Sequence, residues 1–295
     1  MFQIISDGGC DFTKEEVKSS GISVVPFYVS FDHINYLKEG VDINKDDYFK
    51  KLTTEKDLFP KTSQPSPQDY IDVCSPYLKD GKDLLIITIS SKLSGSHNSA
   101  VLAKQMLEDE FLGREIIIID SLNGSISQGL ILREILKMRD AGYSLEKTCR
   151  LAHKVIKTTR VYFTLDTLEY MRRGGRIGPT TALVGGILGL RPILQLVDGE
   201  VSQLDNVRGK KKSLKLIEEA LVEVLKDETG ISLSVGHILN ENEATDFKTN
   251  IETALNTKIT NPITEVGVTI GSHAGPGALA FAYCKNYDTF IKEAV

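Results

Sequence analysis

Three observations predict an α/β fold in two parts. Short β-rich runs alternate with helical patterns over the first half of the chain, capping signals mark where helices begin, and after residue 158 the runs become longer and more alternating. FQIIS, VVPFYVSF, DLLIITIS and REIIIIDS are the early strand candidates, separated by segments whose apolar residues recur at three and four positions. That alternation points to a largely parallel sheet. Thr13 with Glu16, and Ser66 with Asp69, have the spacing of capping boxes, and Pro67 suits a first helical position. Later in the chain VYFTL, ILQLVDGEVSQL, SLSVGHIL and ITEVGVTIG read as strands of a mixed or antiparallel sheet. The expected division is residues 1–158 and 159–295, with no low-complexity linker or internal repeat to mark it.

Composition bounds the function. The 295 residues suffice for two modest domains or one large one, and a chain of that length buries about three quarters of its unfolded surface. With 41% hydrophobic and 25% charged residues, 24 Gly and 9 Pro, it is neither collagen-like, disordered nor membrane-spanning. Against 40 acidic side chains stand 35 basic ones, so a net charge of -5 offers no global field for nucleic acid or an anionic bilayer. Cys10, Cys74, Cys149 and Cys284 lack C-x-x-C or zinc-ligand spacing and read as reduced cytosolic thiols. The N-terminus has Asp7 and no basic region before an apolar stretch, which argues against a secretory signal.

Four loops rich in glycine or hydroxyls are the candidate chemistry, since α/β folds gather ligands at strand ends. SDGGCD permits a tight turn in which Asp7 either fixes the loop or meets a polar ligand. TSQPSP places Thr62 and Ser63 before a helix start, where unpaired N–H groups favour an anion, while Ser66 reads as that helix's cap. ISSKLSGSHNSA offers Ser90, Ser91, Ser94, Ser96 and the Gly95 backbone at another helix entrance. This uncharged set suits anion recognition better than covalent catalysis, because no base lies beside Ser94 and no G-x-S-x-G elbow is present. His97 reads as a solvated helix residue. IGSHAGPGALA is expected to be a strand end, a loop carrying His273, and then a small-residue helix. His273 is the best placed histidine for a ligand; His33, His153 and His237 read as ordinary surface or core histidines.

Two further segments invite a reading. Arg172 to Leu194 begins basic and becomes apolar, with Gly185, Gly186 and Gly189 suiting either a wall around an apolar ligand or a packed core helix. Arg208 to Ser213 is a basic cluster, either a solvated helix start or a docking patch for an acidic partner. Phosphate-loop, dinucleotide, H-E-x-x-H and RNA-binding signatures are missing.

In order, TSQPSP, ISSKLSGSHNSA, IIIIDS with SQG, LEYMRRGGRIG, RPIL before VDGEV, and IGSHAGPGALA resemble the DegV family of bacterial fatty acid-binding proteins over nearly the whole chain. The resemblance implies a two-domain DegV-like α/β architecture, with a mostly parallel N-terminal sheet, a mixed or antiparallel C-terminal sheet and a fatty acid between them. It puts the carboxylate on Thr62 and Ser94, with Ser63, Gly95 and His273 beside them. Arg208 falls near the carboxylate or on a partner face. SDGGCD departs from the family's Ser-Thr-Ala loop, whereas SGS for SGT and GSHAGPGALA for GTHTGPGALG keep a hydroxyl or a small residue.

The leading expectation is therefore a cytoplasmic, non-enzymatic carrier with no metal and no cofactor beyond its bound long-chain fatty acid. It would present the carboxyl to a fatty acid kinase resembling dihydroxyacetone kinases, for acyl-phosphate formation, with peripheral membrane contact for lipid exchange. Two alternatives stay open. One is a small-molecule hydrolase or transferase using Ser94 as nucleophile or anion holder, His273 as base and Asp7 as its partner. The other is a sensor that docks through Arg208 and Lys210 to Lys212.

Overall fold

The computed structural model describes residues 2–55, 57–177 and 190–292. FQIIS becomes β1 (Phe2–Asp7), buried along its whole length, and runs into a 3-10 turn at Gly8–Cys10. The Thr13–Glu16 box forms reciprocally and opens α1 (Lys14–Ser20). VVPFYVSF is not one strand: Pro26 lies between β2 (Ser23–Val25) and β3 (Tyr28–Ser30), which enter different sheets. A proline lacks the N–H that a continuing ladder needs. β3 pairs antiparallel with β4 (Leu37–Lys38) and, beyond α2 (Lys45–Thr54), with β5 (Lys61–Ser63). The second capping box forms as well, starting α3 (Pro67–Lys79). β6 (Asp83–Thr88), α4 (Ser96–Glu110) and β7 (Ile116–Asp120) complete a parallel sheet of order β2-β1-β6-β7.

Two helices then join this sheet to the next. α5 (Ile126–Asp140) and α6 (Leu145–Thr158) pack against each other, and their apolar faces share one core with Ile4, Leu85 and Ile87 on one side and Ala282 and Cys284 on the other. The second sheet contains β8 (Arg160–Thr164), followed by α7 (Glu169–Gly174), then the hairpin of β9 (Leu190–Val197) and β10 (Glu200–Arg208). α8 (Lys210–Leu225), β11 (Ile231–His237), α9 (Glu241–Ala254) and β12 (Thr264–Glu265) come next. α10 (Val268–Ala274), β13 (Leu279–Lys285) and α11 (Thr289–Lys292) close the chain's described part. The sheet order is β10-β9-β8-β13-β11-β12, antiparallel except for the β11–β12 pair, so it is mixed. α8 and α9 cover its outer face through Leu221, Phe247 and Ile251.

One stretch reverses expectation. In ITEVGVTIG only Thr264–Glu265 is strand, residues 268–274 are helical, and the small-residue segment after them, expected to be a helix, leads into β13. Local alternation at Val266, Val268 and Ile270 suggests a strand, but remote side chains settle it. Glu39 accepts from Val268 N at 2.6 Å and Thr269 N at 3.1 Å, and Asp11 accepts from Gly267 N at 2.9 Å, satisfying a helix start. Gly275 and Gly277, at φ 75° and 81°, then turn the chain into β13. The reading of Gly185, Gly186 and Gly189 falls outside the described residues.

Candidate functional site

Between the second sheet, α10 and the Ile89–Ser94 loop lies a cavity with about 950 Å³ of atom-free space, part of it open to solvent. Val161, Phe163 and Leu165 line it at alternate positions along and just beyond β8, beside Leu196 and Ala280 of the neighbouring strands and Ile238. Most of the wall is hydrocarbon.

Polar groups gather at Thr62, Ser94, Arg176 and His273, all lining the cavity. Thr62 comes from β5, Ser94 from the loop before α4 and His273 from the last turn of α10. Thr62 Oγ1 lies 2.8 Å from His273 Nε2, a contact bridging 211 residues of sequence. The Ser94 hydroxyl oxygen accepts from Ser96 N at 3.2 Å, which leaves its O–H to donate elsewhere. Burial, with the Arg176 charge adding to it, pushes the His273 imidazole down to about 4, so the ring is neutral at pH 7. Its Nδ1 is buried with no hydrogen-bond partner among the described residues. Gly174 lies directly beneath the ring, where a Cβ would stand 2.2 Å from that nitrogen.

Arg176 went unread as a site residue in the sequence. Its Nε donates to Leu93 O at 3.0 Å and its Nη1 to Gly174 O at 2.6 Å, both carbonyls. Among the described residues no carboxylate pairs with it, and burial lowers its pKa. A half-buried guanidinium without a counter-charge strongly favours an incoming anion.

The remaining expected residues stand apart. Ser63 is exposed, because side chains alternate along β5 and Thr62 takes the inward position. Gly95 caps α4 but is covered by the Gln64 side chain, which itself lines the cavity and donates to Ser99 Oγ at 3.1 Å. Arg208 is exposed at the end of β10 and does not line the cavity.

Comparison with known proteins now bears on this arrangement. A family model described as "Uncharacterised protein, DegV family" matches residues 1–286. The chain belongs to the DegV family. A DegV domain-containing protein of Caldanaerobacter subterraneus subsp. tengcongensis is 35% identical over 281 residues, covering 93% of this chain and 95% of the relative. A solved stearic acid-binding protein from Eubacterium ventriosum superposes with TM-score 0.92 at 30% identity, over 98% of this chain and 100% of its own. A fatty acid-binding DegV family protein from Thermus thermophilus gives TM-score 0.87 at 29% identity, over 96% and 99%.

In this DegV chain Asp7 is a structural hub. Fully buried, it accepts from Gly9 N, Ile89 N, Ser96 Oγ and Gln128 Nε2 at 2.7–3.2 Å. Burial raises its pKa despite those bonds. The relay of Ser94, His273 and Asp7 is thus not assembled: His273 Nε2 meets Thr62, and Asp7 holds the serine loop from below. Ser90 is equally committed, donating to Gly199 O at 2.8 Å. All four cysteines of this DegV chain are buried and unbridged, with burial pushing the Cys10 and Cys74 thiols up to about 12. The described residues contain no group of three or more metal-ligating side chains and no helix long and apolar enough to cross a membrane.

Proposed function

We propose that this DegV-family chain is a cytoplasmic fatty acid carrier, without catalysis of its own, organised as two lobes, 1–158 and 159–295, with the ligand between them. The observation that carries the reading is the hydrocarbon-walled cavity in which Arg176 stands uncompensated beside the hydroxyls of Thr62 and Ser94 and a neutral His273. A carboxylate there meets one charge and several neutral donors, which offsets its lost hydration. About 15 buried methylenes at ~0.8 kcal/mol each supply on the order of 12 kcal/mol, from which ordering costs are subtracted. The tail sets affinity and the head group sets register. That relatives of 29–30% identity bind fatty acids supports the same reading.

The finer role is presentation of the carboxyl to a fatty acid kinase resembling dihydroxyacetone kinases, giving an acyl-phosphate, with loading and unloading at a membrane surface. Exposed Arg208 is the candidate docking residue, and charge reversal there lowers kinase-dependent phosphorylation more than lipid retention. The decisive experiment is denaturing mass spectrometry of lipid released from protein purified from cells. Release of a stoichiometric long-chain fatty acid supports the carrier. A lipid-free protein that also takes up no added fatty acid overturns it.

A further inference from the structure

The cavity has a direction, and one side chain closes its far end. Leu165, Ile238 and Ala278 share a core with Met171, against which Leu93 and Ala274, the chain neighbours of Ser94 and His273, also pack. One inward position further along the same three segments stand Phe163, Gly236 and Ala280, paired in a row across β8, β13 and β11. A further step brings Val161, which belongs to the core under α5. Val161 still lines the cavity, whereas its partners in that row, Ala282 and Ser234, are fully buried and do not. Four residues of strand separate Leu165 from Val161, about 13 Å of cavity floor. A chain whose carboxylate sits by Arg176 and His273 therefore points its methyl end at α5.

Ile126, the first residue of α5, stands at that end. It is 1% exposed, and a Cβ on Gly236 would lie 2.6 Å from its Cγ2 and 3.5 Å from its Cδ1, so the isoleucine is seated on bare backbone where the row finishes. Its anchorage is stiff. Ser125, which lines the cavity beside it, takes φ 55° and ψ -138°, a conformation that residues with a side chain rarely adopt. It is held there by its N–H, which donates to Gly9 O at 2.7 Å, and by its hydroxyl, which donates to Asp11 Oδ2 at 2.6 Å. Being β-branched and helical, Ile126 also has little rotamer freedom. The end of a ligand chain thus meets a side chain that cannot swing aside.

We propose that Ile126 is the chain-length stop of the cavity, setting the longest straight fatty acid whose methyl end fits while the carboxylate keeps its place. The inference rests on the fatty acid reading above. It is tested by offering wild type, Ile126→Val, Ile126→Ala and Met138→Ala an excess of an equimolar series of straight saturated acids, from dodecanoic to docosanoic, and quantifying by mass spectrometry what each protein retains. Wild type retains one acid best, and retention falls steeply for longer ones. Removing a single carbon in Ile126→Val raises retention of the next longer acids, relative to that optimum, about fourfold. Ile126→Ala raises it by more than about tenfold and moves the optimum up by about two carbons. Met138 is fully buried in the same helix and core, about 18 Å further along, so Met138→Ala lowers the unfolding midpoint and leaves the length profile alone. A wild type that retains the longest acids as well as the rest, a profile unchanged in the mild Ile126→Val and in Ile126→Ala, or an equal shift in Met138→Ala overturns the proposal. A wild type that retains none of the acids instead overturns the fatty acid reading, and this inference with it.

Discussion

Asp7 and Arg176 both contact the Ile89–Ser96 loop, and they are treated in opposite ways. Asp7 sits beneath it with every approach filled by a donor, among them Ile89 N and Ser96 Oγ. Arg176 sits at the cavity wall with two carbonyls and no anion, next to a histidine whose Nδ1 is also unpartnered among the described residues. A buried charge whose bonds are complete belongs to the scaffold, and one whose bonds are incomplete awaits a ligand. The difference separates structural from functional polarity within one loop.

The strongest way to break that contrast is to remove Asp7. Asp7→Leu strands Gly9 N, Ile89 N, Ser96 Oγ and Gln128 Nε2, and urea unfolding is expected to show a loss of about 3–5 kcal/mol. A loss below about 1 kcal/mol would mean the hub is not holding the loop. Next in size is a pH effect at Asp11, which burial pushes up to about 7 from an ordinary 3.8. Between those values the folded protein keeps a proton that the unfolded chain has released, so stability falls as pH rises across that window, by up to a few kcal/mol. His273, lowered to about 4 from 6.5, acts the other way, adding stability as pH rises through that range. Asp11→Asn therefore removes one share of the fall, leaving those of Asp7 and Glu39, whose carboxyls burial also raises, so unfolding free energies measured from pH 4 to 8 should decline less steeply with pH than in the wild type.

On the ligand side, Arg176→Met is expected to weaken fatty acid binding about 10- to 100-fold, with the unfolding midpoint unchanged or slightly raised, since it removes an uncompensated cation. Equal losses of stability and affinity would erase the distinction from Asp7. The smallest effect belongs to Thr62→Val combined with Ser94→Ala, expected to cost about tenfold in affinity at unchanged stability. Isothermal titration beside thermal unfolding separates the two quantities in both cases.

What could be read in the sequence followed from whether the deciding contacts were local. The Thr13–Glu16 and Ser66–Asp69 boxes are short-range chemistry, and both form. α10 looks like a strand by its own pattern because the carboxylates that satisfy its start come from positions 11 and 39. Thr62 and Ser63 are equivalent as residues, and only the pairing of β5 with β3 decides which faces inward. Arg176 is one arginine in a basic run until the fold reveals that its neighbours there are carbonyls. Charge compensation is a property of space, and motif order carries no record of it.

The position of α5 limits how the molecule can admit anything long. Leu130, Ile131 and Ile135 are completely enclosed, and their helix touches both β13 and the core behind β1. Swinging the two sheets apart like the covers of a book would strip that helix of one side of its packing, at roughly 1.5–3 kcal/mol for each large side chain wetted. On the carrier reading, entry and exit are therefore expected to need only small, local displacements at the cavity rim, with the spine left shut.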